Sequence, residues 1–138
     1  LLLIPLLALL ASGCSTVEKG KRYGSTPLDS LKTAYVVMNQ PANWEIGMHI
    51  REALADRGVQ VTAGNLQDKP KDVAFFVTYV AHRQWDMAMY LDSLDIQFME
   101  GATGTLIASG SFRNSFFHSF PNTRQKTFEV IESMYKAK

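Results

Sequence analysis

The chain has 138 residues, enough for one domain and too few for two. Its 14 basic and 13 acidic residues leave a formal charge of +1, so no basic excess exists to hold nucleic acid through its phosphates. Cys14 is the only cysteine, which excludes an internal disulfide framework and a multi-thiolate zinc site.

Residues 1–10 form an apolar run interrupted only by Pro5. A bilayer-spanning helix takes about 20 residues, so this run is too short to cross; it has the length of the apolar region of an export signal. The basic segment that normally precedes such a region is absent, and so is an initiator Met. Residues 1–13 are therefore read as a signal peptide cut short at its start.

The run leads into Leu10-Ala11-Ser12-Gly13-Cys14. This resembles the lipobox of bacterial lipoproteins, where small residues precede the cysteine that receives lipid. The resemblance implies a diacylglyceryl group on the Cys14 thiol, cleavage before it and acylation (palmitate, for example) of the new amino group. Leu stands at position 10 rather than at 11, where that family most often has it. Two or more acyl chains hold a protein stably on a membrane, whereas one does not. In Gram-negative lipoproteins an aspartate after the cysteine commonly retains the protein at the inner membrane. Ser15 in that place implies the outer membrane, on its periplasmic face.

Residues 14–30 contain Gly20, Gly24 and Pro27 and no apolar period, and are read as a lipidated Cys followed by a flexible tether reaching about 20 Å. Lys19, Lys21 and Arg22 are either solvated or rest on anionic headgroups. A single α/β domain is expected over residues 31–138. A first strand is predicted over Lys32–Met38, broken by Pro41. Asn43 is the expected N-cap of a helix starting at Trp44, with Ile46, Ile50, Ala53 and Leu54 on one face and Gly58 at its end. A strand over Val59–Thr62 follows, and this short return predicts parallel pairing with the first. Asp72–Val80 is apolar on both faces and reads as a central strand. Met89–Met99 and Thr105–Phe112 follow, joined by a turn at Glu100–Gly104. A last helix is capped by Asn122 or Thr123, with Phe128, Ile131, Met134 and Tyr135 inward. The expected fold class is α+β: a two-layer α/β sandwich with a mixed four- to five-stranded sheet and two helices on one face.

In this outline, carried by the strand patterns of 72–79 and 90–110, the chain resembles small envelope lipoproteins of Gram-negative bacteria. The lipopolysaccharide-assembly and penicillin-binding-protein-activator lipoproteins are of this kind. The resemblance implies an accessory role in the cell envelope; the fold by itself does not name a function.

No motif for chemistry stands out. His49, His82 and His118 are far apart and none has a second His at helical ligand spacing, so no metal is expected. No Gly-x-Ser-x-Gly elbow and no phosphate loop is present. Asp92 and Asp95 are three apart on a predicted strand and should point to opposite faces, which argues against a carboxylate pair. No cofactor is expected.

Two stretches are candidate partner-binding surfaces. Residues 81–90 hold Arg83, Trp85, Met87, Met89 and Tyr90 between two strands, side-chain types enriched together at interfaces. Trp85 either folds over the sheet end as a lid, with Asp86 capping the turn, or faces a partner. Residues 113–121 hold Phe116, Phe117 and Phe120, which either plug the gap beside the last helix or form an exposed patch. The leading reading is a non-enzymatic protein anchored through lipid on Cys14 and binding an envelope protein. The alternatives are a lipid or small-molecule carrier, with an apolar cleft under the phenylalanines, and an enzyme.

Overall fold

The computed structural model describes residues 16–115 and 119–138. The expected signal peptide, Cys14, Phe116, Phe117 and His118 lie outside the described residues.

Among the described residues, seven strands and two longer helices make the fold: β1 (Thr16–Val17), β2 (Lys21–Arg22), β3 (Thr33–Val37), α1 (Trp44–Asp56), β4 (Gln60–Gly64), β5 (Phe75–Trp85), β6 (Met89–Glu100), β7 (Leu106–Arg113) and α2 (Thr123–Lys136). They form one mixed sheet in the order β1-β7-β6-β5-β3-β4, with β2 also on β7. β3 is parallel to β4 and β5, as the short β3-α1-β4 return requires; the other pairings are antiparallel. Both helices pack on one face. Between them and the sheet lie Phe75, Val77 and Tyr79 of β5, Leu94, Ile96 and Phe98 of β6, and Phe112 of β7. Ile46, Ile50 and Leu54 of α1 and Val130, Ile131 and Met134 of α2 meet them, and all are buried. The period-2 strands and 3.6-period helices thus close on a single core. On the far side, among the described residues, Tyr35, Val37 and Val73, with Phe76 against them, form a small second cluster.

The sheet is wider than the four to five strands expected, because the segment read as a free tether is in it. Thr16 and Val17 pair with Arg113 and Phe112, and Lys21 and Arg22 with Ser109 and Ala108. Side-chain patterning cannot reveal two-residue strands; what recruits them is the otherwise unpaired edge of β7, whose backbone groups need partners. Gly20, between the two strands, lies against α2: a Cβ there would stand 2.3 Å from the Ser133 carbonyl oxygen. Arg22 does not lie free for headgroups either. Its guanidinium donates to the Thr26 and Ile107 carbonyls.

Helix ends follow the sequence in part. Gly58, at φ 80°, takes the left-handed turn after α1, and the Asn122 side chain accepts from the Gln125 N–H at 2.9 Å to cap α2. Asn43 does not cap α1; its side chain is used elsewhere, as described below. In α2 the fully buried residues include Thr127 and Val130, while Phe128 and Tyr135 are only partly buried. Burial nonetheless pushes the Tyr135 hydroxyl up to about 12. Arg124 of α2 donates to Glu52 of α1 at 3.1 Å, holding that carboxyl below its ordinary range and joining the two helices.

Candidate functional site: a projecting hairpin at the end where the chain enters

β5 and β6 outrun the rest of the sheet. β3 pairs with β5 only as far as Val77, and β7 pairs with β6 only back to Ser93, opposite Arg113. Beyond those points the backbone of β5 loses a strand neighbour, and side chains replace it. Ala81 N–H donates to Gln40 Oε1 at 3.1 Å, and Asn43 Nδ2 donates to the Ala81 carbonyl at 3.3 Å. Asn43 Oδ1 then accepts from Arg83 Nε at 2.9 Å, and the Arg83 guanidinium also pairs with Glu45 in the first turn of α1. This explains why Asn43 caps nothing: a buried amide serves the orphaned strand instead of the helix. It also places Arg83 inward, as a tie between β5 and α1.

A bulge between His82 and Arg83 leaves Asp92 without an opposite residue on β5. The extra residue lets Leu91 and Leu94, three apart, both point into the core. It also bears on Asp92 and Asp95: Asp95 is taken by Arg113, at 2.9 and 3.1 Å, on the uncovered face of the sheet.

Past the bulge the hairpin projects. Trp85 and Met89 are opposite each other, and a three-residue turn, Asp86-Met87-Ala88, joins them. The lid expected of Trp85 does not form: Trp85 is 70% exposed, Met89 54% and Met87 92%. Met87 sits at φ 60°, the left-handed region where a bulky side chain is unfavourable and glycine is the ordinary choice. An apolar side chain is thus held in a strained turn and presented to solvent.

The rest of this end is built from the neighbouring connections. Asn114 ties Ser119 to β6: its backbone N–H donates to the Asp92 carbonyl at 2.8 Å, and its Nδ2 donates to the Leu91 and Ser119 carbonyls. Tyr90 meets Phe120 edge to face at 5.7 Å, and Phe120 remains 58% exposed. The Tyr90 hydroxyl is raised by desolvation and by Asp92 and Asp86. Trp44, 61% exposed, opens α1 next to the Asn43–Arg83 tie. Thr16, opposite Arg113, is the point at which the described chain enters the sheet, on this same side. The structure therefore gathers Trp44, Trp85, Met87, Met89, Tyr90 and Phe120 at one end. Of these, Trp44 was not singled out from the sequence; a Trp at a helix start carries no pattern that distinguishes exposed from buried.

Among the described residues no three His, Cys, Asp or Glu side chains come together as a metal site. His49 lies 3.9 Å from Glu52 on the surface of α1.

No protein-family model matches the chain, and no curated protein matches it in sequence. Solved structures do share its fold. PelC from Paraburkholderia phytofirmans, crystallised as a dodecamer, superposes with a TM-score of 0.62 at 11% identity, covering 91% of this chain and 100% of that one. A second crystal form of the PelC dodecamer gives 0.59 at 9% identity, over 86% and 98%. A PDZ domain protein from Parabacteroides distasonis gives 0.53 at 11% identity, over 84% of this chain but 34% of that one. At these identities the likeness is one of fold.

Proposed function

We propose that this chain is a lipid-anchored protein on the periplasmic face of the outer membrane, and that its domain works without catalysis, by binding protein, first of all copies of itself. The observation that carries this reading is the fold match to PelC. It extends over the whole of that protein's chain, and PelC forms a dodecamer. The lipobox-like sequence ending at Cys14 supplies the anchor, and acyl chains concentrate copies in two dimensions, which favours weak self-contacts. The filled interior favours this over a carrier: the space between helices and sheet holds Tyr79, Phe98, Phe112 and Met134, fully buried.

The test has two parts. Labelled palmitate should enter the wild-type protein in cells and be lost from Cys14→Ser; a wild-type protein that takes up no label overturns the anchor. The acylated protein, extracted in mild detergent and sized by light scattering with the detergent's contribution subtracted, should run as a multiple of the mature chain that begins at Cys14. A monomer at every concentration overturns self-association.

A further inference from the structure

We infer that the β5–β6 hairpin tip is a membrane-contacting element, its Trp85, Met87 and Met89 resting in the interfacial layer of the bilayer that holds the lipid on Cys14. The inference rests on the anchor proposed above, and the rest is geometry.

The first part of the argument is tether length. Cys14 precedes Thr16 by two residues, so the link between the lipid-bearing residue and the sheet spans at most about 7 Å. Thr16 is not the start of a loose coil. It pairs with Arg113, which pairs with Ser93, which pairs with His82. Gly20, pressed against the backbone of α2, holds the next residues down. A membrane at Cys14 therefore stands close above the row Thr16–Arg113–Ser93–His82.

The second part is projection. From that row β5 continues for three more residues to Trp85, about 10 Å at strand rise, and Met87 lies beyond it. The hairpin thus reaches at least as far as the tether can lift the domain. With the strands pointing toward the anchor, the tip meets the lipid.

The third part is chemistry. The side chains presented there are a Trp and two Met, with the Tyr90–Phe120 pair behind them. Trp and Tyr are the residues enriched at membrane–water interfaces, and an apolar patch of this kind is otherwise unfavourable on a soluble surface. Met87 is held in the left-handed region that glycine would occupy without strain. Asp86, between Trp85 and Met87, limits the depth: a carboxylate does not enter hydrocarbon, so the tip stops at the headgroup and carbonyl level.

The experiment uses the acylated protein reconstituted into phosphatidylethanolamine–phosphatidylglycerol vesicles, with bromine on the acyl chains as a fluorescence quencher. The chain has two tryptophans, so Trp44→Phe leaves Trp85 as sole reporter and Trp85→Phe leaves Trp44. With bromine near the carbonyl end, Trp85 emission should fall about twofold, less with bromine near the chain terminus, and Trp44 emission should fall less than Trp85 in both. Unquenched Trp85 in protein that sediments with the vesicles overturns the inference and leaves the anchor standing. Unquenched Trp85 with a blue-shifted emission that persists in detergent also overturns it, and assigns the tip to a protein contact. Failure of the anchor is read separately, from wild-type protein that takes up no labelled palmitate in cells.

Discussion

β5 and β6 are one continuous hairpin with two unlike halves. From Phe75 to Ala81, alternate side chains of β5 are buried under the helices, with β6 on one side throughout and β3 on the other as far as Val77. From His82 to Trp85 the same strand is clear of β3, keeps only β6 and shows the Trp85 indole to solvent. The difference teaches that the strand's apolar content is not what buries it. Phe75 and Trp85 are both large and aromatic; what separates them is whether helices and a second neighbouring strand lie alongside. At the junction, Gln40 and Asn43 supply the hydrogen bonds that a neighbouring strand would have made.

Substitutions can sharpen or break this contrast. Phe98→Ala, in the buried half, should destabilise the domain by about 3–5 kcal/mol in urea unfolding, through lost burial and the cavity left behind. Asn43→Ala acts at the junction. It leaves the Ala81 carbonyl and Arg83 without a buried partner, and a loss of about 1–3 kcal/mol is expected. Hydrogen exchange should show the hairpin amides beyond Ala81 opening first; uniform loss of protection would mean that the two halves unfold as one unit. Met87→Gly relieves the left-handed strain and should stabilise by about 1 kcal/mol, while removing an apolar contact from the tip. Trp85→Ala should change stability by less than about 0.5 kcal/mol. A loss of several kcal/mol there would show that the indole is packed in solution and would end the contrast between the halves.

The N-terminal segment offers a fifth, intermediate test. Gly20→Val forces a side chain against Ser133 and Met134, so it should peel 16–22 from β7. The expected readout is faster proteolysis after Lys19, Lys21 and Arg22 with the rest of the domain intact. Unchanged resistance would mean that α2 yields easily and that the close approach does not fix the segment.

Much of this protein was settled by local sequence. The β3-α1-β4 return, the turn at Glu100–Gly104, the cap at Asn122 and the inward faces of α1 and β6 are all legible, because side-chain period, caps and turn residues act over a few neighbours. The expected export signal and lipid attachment at Cys14 rest on one-dimensional patterns, over residues that lie outside the described ones. Tertiary structure alone decided the rest. That residues 16–22 join the sheet follows from the free edge of β7 and from α2 lying over Gly20, neither of which is written in the segment itself. That Asn43 serves β5 rather than its own helix follows from where β3 stops. Whether Trp85 covers the core or stands clear of it depended on the length by which two strands outrun their neighbours. Burial is a property of what lies alongside a residue in space, and for Trp85 sequence position alone does not specify that neighbour.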